Sequence, residues 1–220
     1  MDSYTAPKFE SSALITVDMQ NDFGLTTGAS PIPGTLAIIP RLVELLNAYR
    51  NADRPIVHIV RLYHRDGSNA ELCRRKIIET GIEFVAPESD GAELLEDLKP
   101  SSGVRLDASH LLAGEFQTLS ETESILYKPR WGAFYGTQLN GFLRQRGVDT
   151  LIVAGCNFPN CPRSTIYEAS ERDYRLVVTL DALSQLYAKG EEELRGIGVC
   201  LLSTEEIIER LAVACHRVPG

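Results

Sequence analysis

Short runs of uninterrupted apolar residues alternate along this chain with longer stretches whose apolar positions recur every three or four residues. Ala13–Asp18 is apolar and β-branched with no polar alternation, which predicts a strand buried on both faces. Strand character returns over 55–62, 124–127, 149–154, 175–180 and 199–202. Between these runs, 34–50 sets Leu42, Leu45, Leu46 and Tyr49 at helical spacing. Further helices are predicted over 69–80, closed by Gly81, over 137–146, ending at Gly147, and over 164–172, 191–197 and 204–214. Residues 82–124 carry Pro, Ser and Gly in loops, with a short helix near 92–98.

Strands alternating with helices predict an α/β fold: a mostly parallel six-stranded sheet covered by helices on both faces, a Rossmann-like three-layer arrangement. No repeat, low-complexity tract or linker divides the 220 residues, so one domain over 1–220 is expected. In such sheets ligands sit beyond the carboxyl ends of the strands, where the strand order switches.

Composition narrows the function classes. A hydrophobic share of 44% and a charged share of 24% are those of an ordinary globular protein. The net charge is −8 with the signs interspersed, which argues against nucleic acid or an anionic membrane as a partner, since both call for a basic face. No apolar run approaches the roughly 20 residues of a membrane span. The first residues show neither a basic nor an apolar leader region, so a cytoplasmic protein is expected. Five cysteines, at 73, 156, 161, 200 and 215, suit neither a disulfide scaffold nor a zinc site.

Three segments place polar groups just past predicted strand ends. In Val17-Asp18-Met19-Gln20-Asn21-Asp22-Phe23, a carboxylate ends a buried strand, a costly position unless it is paired or used. In Lys128-Pro129-Arg130-Trp131-Gly132-Ala133-Phe134, a lysine follows a short strand. In Cys156-Asn157-Phe158-Pro159-Asn160-Cys161-Pro162-Arg163, a loop delivers Cys161 to a helix start, where Pro162 suits the first position. Unpaired N–H groups and the positive end of the helix dipole favour a thiolate there and can cradle an oxyanion. If the three strands are neighbours, Asp18, Lys128 and Cys161 form one cluster. The carboxylate would act as general acid and base, the ammonium as electrostatic partner, and the sulfur as nucleophile on a carbonyl carbon. Amide or imide hydrolysis through a thioester uses all three.

These segments resemble the isochorismatase-like cysteine hydrolases, a family that includes nicotinamidases, N-carbamoylsarcosine amidase, and biuret and ureidoacrylate hydrolases. The resemblance spans nearly the whole chain, including Tyr167-Glu168-Ala169-Ser170-Glu171-Arg172-Asp173-Tyr174 and Asp181-Ala182. It implies that Asp18, Lys128 and Cys161 are the triad. It also implies a cis peptide between Cys156 and Asn157, with the N–H groups of Asn157 and Cys161 facing the oxyanion. It suggests a homo-oligomer, a dimer or tetramer, acting on a small-molecule substrate. Nicotinamidases carry an Asp-x-His…His metal motif after the second strand, where this chain reads Arg61-Leu62-Tyr63-His64 with no second His at a useful distance. The resemblance therefore implies no metal and no cofactor. The nucleophile loop is similar to that of the subgroup containing streptothricin hydrolase, which opens a lactam.

Beyond the triad, Phe23, Trp131, Phe134 and Phe158 are expected to wall the pocket, since pockets are mostly apolar and aromatic. Asp22 reads as a turn residue. Arg163 either binds an acidic substrate group or pairs with Glu168. His58 reads as a satisfied strand residue, and His64 and His110 as solvated loop side chains.

Overall fold

The computed structural model describes residues 2–215. Seven strands form one sheet: β1 (Ser12–Val17), β2 (Ile56–Val60), β3 (Gln117–Thr118), β4 (Glu123–Tyr127), β5 (Thr150–Gly155), β6 (Arg175–Leu183) and β7 (Cys200–Leu202). Their order is β3-β4-β2-β1-β5-β6-β7. All neighbours are parallel except the two-residue β3, which pairs antiparallel with β4 at the edge. β3 is the strand that the pattern of apolar runs missed, because two residues of an edge ladder leave no period to read.

The strands divide their side chains between two cores. Leu14, Ile56, Val60, Ile125, Ile152 and Val177 pack with Leu42, Leu45 and Leu46 of α2 (Thr35–Asn51) and Ile207 and Leu211 of α8 (Thr204–Cys215). Ala13, Ile15, Val17, Val57, Ile59, Leu151 and Val153 face the opposite side. There they meet Leu139 and Leu143 of α5 (Leu139–Gln145), Ile166 and Ala169 of α6 (Cys161–Ser170), and Leu194 of α7 (Ala188–Gly196). Successive residues of β1 thus enter different cores, which is why the strand shows no polar alternation.

Two other expectations need correction. The helix near 92–98 is instead two short 3-10 turns, Asp90–Ala92 and Glu96–Leu98. Between them Leu94 bridges Gln20, while the Leu95 N–H donates to the Met19 carbonyl at 3.1 Å and Glu93 accepts the Asn21 N–H at 2.9 Å. Pairing with the segment after β1 holds this stretch extended. Residues 82–124 also contain α4 (Ala108–Leu112), N-capped by Asp107, whose side chain accepts the His110 N–H. Two more helices complete the order, α1 (Asn21–Gly24) and α3 (Leu72–Glu79).

The order of strands reverses at β1, with β2 and β4 on one side and β5 to β7 on the other. The carboxyl ends of β1 and β5 therefore frame a crevice at a topological switch point, where α/β sheets bind ligands. Gly155 closes β5 there at φ 117°, and a Cβ on it would run into the Val17 backbone. Only glycine lets the two strands approach so closely.

Candidate active site

Asp18, Lys128 and Cys161 meet in the crevice. Lys128 Nζ lies 3.0 Å from Asp18 Oδ2 and donates to Cys161 Sγ at 3.3 Å. All three are buried, Lys128 to 1% exposure. The expectation that their strands are neighbours is corrected in one respect: β2 lies between β1 and β4. The backbone N–H groups of Asp18 and Lys128 donate to consecutive β2 carbonyls, Ile59 at 2.9 Å and Val60 at 3.0 Å. The long lysine side chain then reaches across the end of β2. Asp18 leaves its strand at φ 53°, in the left-handed region that aspartate tolerates better than most residues.

Asp18 Oδ1 is buried and has no hydrogen-bond partner among the described residues. A buried carboxylate oxygen without a donor is costly and calls for an explanation. Burial works against the Lys128 charge, but Asp18 and Cys161 more than offset it, so the ammonium is held above its ordinary range.

The thiol behaves differently from the sequence expectation. Burial, reinforced by the Asp18 charge, pushes Cys161 up to about 12 despite the opposing pull of Lys128. Its place as the first residue of α6 does not outweigh desolvation. A value that high leaves the sulfur protonated near neutrality, with Asp18 close enough to raise it. Cys156, fully buried beneath the loop, is also pushed up by burial and donates through its Sγ to the Asp18 carbonyl at 3.1 Å.

The Cys156–Asn157 peptide is cis. No acceptor meets the N–H of Asn157 or Cys161 among the described residues, whereas the intervening Phe158 N–H donates to Ser184. Asn157 is fixed from its side chain, donating to Gln185 Oε1 at 2.7 Å and accepting from Asn160 at 3.1 Å. Both donors belong to residues that line the same cavity as the sulfur.

A narrow cavity opens on this cluster, lined by Asp18, Lys128, Cys156, Asn157, Asn160 and Cys161, with Phe23, Ile32 and Trp131 as its apolar wall and Arg61, Tyr63, Glu71 and Arg74 as its polar wall. Phe23 and Trp131 are thus brought to the pocket as expected. Phe134 and Phe158 are not. Phe134 packs on Tyr174 in the core beneath α6, and Phe158 turns toward Tyr187 and Gly190. Both rings pack in the core instead. Arg163 is also corrected: it pairs with Glu193 at 2.8 Å and donates to Tyr187 Oη at 2.6 Å. Glu168 is occupied elsewhere, accepting the Phe134 N–H at 2.8 Å, while Thr165 Oγ1 accepts the Ala133 N–H at 3.1 Å. These two residues of α6 clamp the 131–134 loop and so position Trp131.

Sequence reasoning missed the β2 contribution. Arg61 is 2% exposed, donates to the Leu62 and Asn69 carbonyls and to Tyr127 Oη, and stacks 4.1 Å from the Tyr63 ring centroid. Its Nε lies 3.4 Å from Glu71 Oε1, and Glu71 Oε2 accepts from Tyr63 at 2.8 Å. Burial raises the Glu71 carboxyl, but Arg61 and Tyr63 outweigh it and hold the group below its usual range. Asp22 is structural, its carboxylate accepting the N–H groups of Ala29 and Val85. His58 is buried between Thr16 and Glu123, and neither His64 nor His110 lines the cavity. Among the described residues no group of three or more His, Cys, Asp or Glu side chains is placed to hold a metal ion.

Comparisons with known proteins place the fold. A family model described as the isochorismatase domain matches residues 12–195. A protein from Arabidopsis thaliana named "Probable inactive nicotinamidase" is 28% identical over 215 residues, covering 94% of this chain and 100% of its own length. The ureidoacrylate amidohydrolase of Methylobacterium radiotolerans is 27% identical over 209 residues, covering 87% of this chain and 72% of its own length. Among solved structures, an isochorismatase family protein from Desulfovibrio vulgaris is 32% identical with a TM-score of 0.77, covering 92% of this chain and 98% of its own.

Proposed function

This chain belongs to the isochorismatase family, and on that footing we propose that it is a cysteine hydrolase cleaving a C–N bond of a small amide, imide or lactam through a thioester on Cys161. The observation that carries this reading is the Lys128 ammonium held between Asp18 Oδ2 at 3.0 Å and Cys161 Sγ at 3.3 Å in one buried cavity. That some relatives bear amidohydrolase names supports the reading.

The resting state follows from the charges. Asp18 pairs with Lys128, and Cys161 is a thiol. When a carbonyl carbon reaches the sulfur, the thiol proton passes to the open Asp18 Oδ1 and the S–C bond forms. Lys128 neutralises both the departing carboxylate charge and the emerging thiolate, and needs no movement to do so. The carbonyl oxygen becomes an oxyanion received by the N–H groups of Asn157 and Cys161. Asp18 returns the proton to the leaving nitrogen, the C–N bond breaks and an S-acyl enzyme remains. Water then enters, gives its proton to Asp18, and attacks the thioester. Collapse expels the sulfur, which regains the proton from Asp18, and the acid product leaves. Phe23 and Trp131 keep the site apolar around the reacting atoms.

The test is a panel of small amides, ureides and lactams run on the wild type and on Cys161→Ala. Hydrolysis lost in Cys161→Ala, with an acyl adduct on the Cys161 peptide in quenched wild-type samples, is the expected result. Turnover that survives the substitution removes the nucleophile from the mechanism. A protein that hydrolyses nothing and accumulates no adduct is a binding protein on the same fold.

A further inference from the structure

The charges lining the cavity do not balance. Asp18 pairs with Lys128, and Glu71 pairs with Arg61 and is completed by Tyr63, so both carboxylates are already committed. Arg74 remains. It projects from α3 into the cavity wall, half-buried, and makes no side-chain hydrogen bond or ion pair among the described residues. Its guanidinium is held only by aromatic faces, 5.6 Å from the Trp131 ring centroid and 5.9 Å from that of Phe84. Contact with two aromatic rings leaves its N–H donors unused. With the thiol neutral, the cavity carries three cations against two anions, an excess of one positive charge.

We propose that the substrate of this site is a small amide that also bears a carboxylate, and that Arg74 binds that carboxylate in the cavity it shares with Cys161. This rests on the cysteine-hydrolase reading and names the substrate class for it. A planar carboxylate matches the guanidinium fork in a bidentate pair, and it restores neutrality to the cavity when it enters. Arg163, the arginine that the sequence offers for an acidic group, is excluded because Glu193 already holds it. The proposal also gives the Trp131 ring a role: it contacts the cation that orients the ligand.

Iodoacetate and iodoacetamide deliver the same methylene carbon to sulfur and differ by one charge. Their alkylation rates at Cys161, read by mass spectrometry at alkaline pH and referred to glutathione, report the field in the cavity without any substrate. The iodoacetate-to-iodoacetamide ratio is expected to be about tenfold higher in the wild type than in Arg74→Gln, a charge effect of ordinary size at this range. Arg74→Lys should keep most of the preference. An equal ratio in wild type and Arg74→Gln overturns the proposal. If neither reagent reaches Cys161, it is the nucleophile reading that fails, and binding decides the anion site separately. Succinamate, an amide with a carboxylate, is then titrated into Cys161→Ala and into Cys161→Ala with Arg74→Gln. Affinity at least tenfold weaker in the second supports Arg74, and equal affinity overturns it.

Discussion

Gln20 holds both backbone groups of Arg61: its Oε1 accepts the Arg61 N–H at 2.8 Å, and its Nε2 donates to the Arg61 carbonyl at 2.9 Å. The same amide nitrogen donates to the Ala92 carbonyl at 2.7 Å. One fully buried side chain thus joins the segment after β1, the end of β2 and the turn before Leu94, and fixes the floor beside Asp18. Gln20→Ala would leave several buried polar groups unpaired, so a loss of roughly 2–4 kcal/mol is expected. Urea unfolding of the two proteins measures it. A change within error would mean that these groups find other partners.

Asp18 raises the thiol and also receives its proton, so its removal should separate the two roles. In Asp18→Asn the nearby negative charge is gone and the Cys161 pKa, about 12 in the native protein, should fall. The rate of iodoacetamide labelling at a fixed mildly alkaline pH should therefore rise while amide hydrolysis is lost. Lys128→Met should slow the labelling. A thiol that labels more slowly in Asp18→Asn than in wild type contradicts this account.

Glu123 gives the fold an acid-sensitive joint. Burial raises its carboxyl, but Arg50, at 2.7 Å, and His58, at 2.8 Å, outweigh burial and bring it down to about 2. The folded value lies below the ordinary 4.5, so its contribution is fully present above pH 4.5 and is lost as pH falls toward 2. The shift corresponds to a contribution on the order of 3 kcal/mol. In Glu123→Gln the decline of stability between pH 4.5 and 2 should be shallower than in wild type. Denaturant midpoints across that range read it, and parallel curves would refute the assignment.

Gly155 should tolerate no side chain. Its φ of 117° and the nearness of the Val17 backbone mean that Gly155→Ala must push β5 away from β1. A loss of about 2–4 kcal/mol is expected, with reduced activity because Cys156 and Asn157 follow directly. Thermal unfolding and turnover of the same preparation test it. Wild-type stability would show that the strands can part without cost.

Much of the fold was legible in the apolar pattern. Leu14 and Ile15 enter opposite cores, and that double burial is what an unbroken apolar run signals. The edge strand β3 and the extended stretch at Leu94 were illegible, because what holds them is pairing with distant segments. In the site, Asp18, Lys128 and Cys161 could be found because each stands just past a strand end. Arg61 could not, since an arginine after β2 reads as a surface residue until β2 is known to lie between β1 and β4.

The amino-acid order by itself determined which groups could do chemistry: residue type and distance past a strand end are local properties. Tertiary structure alone decided their state and their company. It buried the Cys161 thiol beside a carboxylate and so raised it, turned Phe134 and Phe158 away from the cavity, tied Arg163 to Glu193 and left Arg74 with aromatic rings but no ion-pair partner among the described residues. Desolvation and charge pairing depend on every neighbour within a few ångströms, and those neighbours come from segments far apart in the chain.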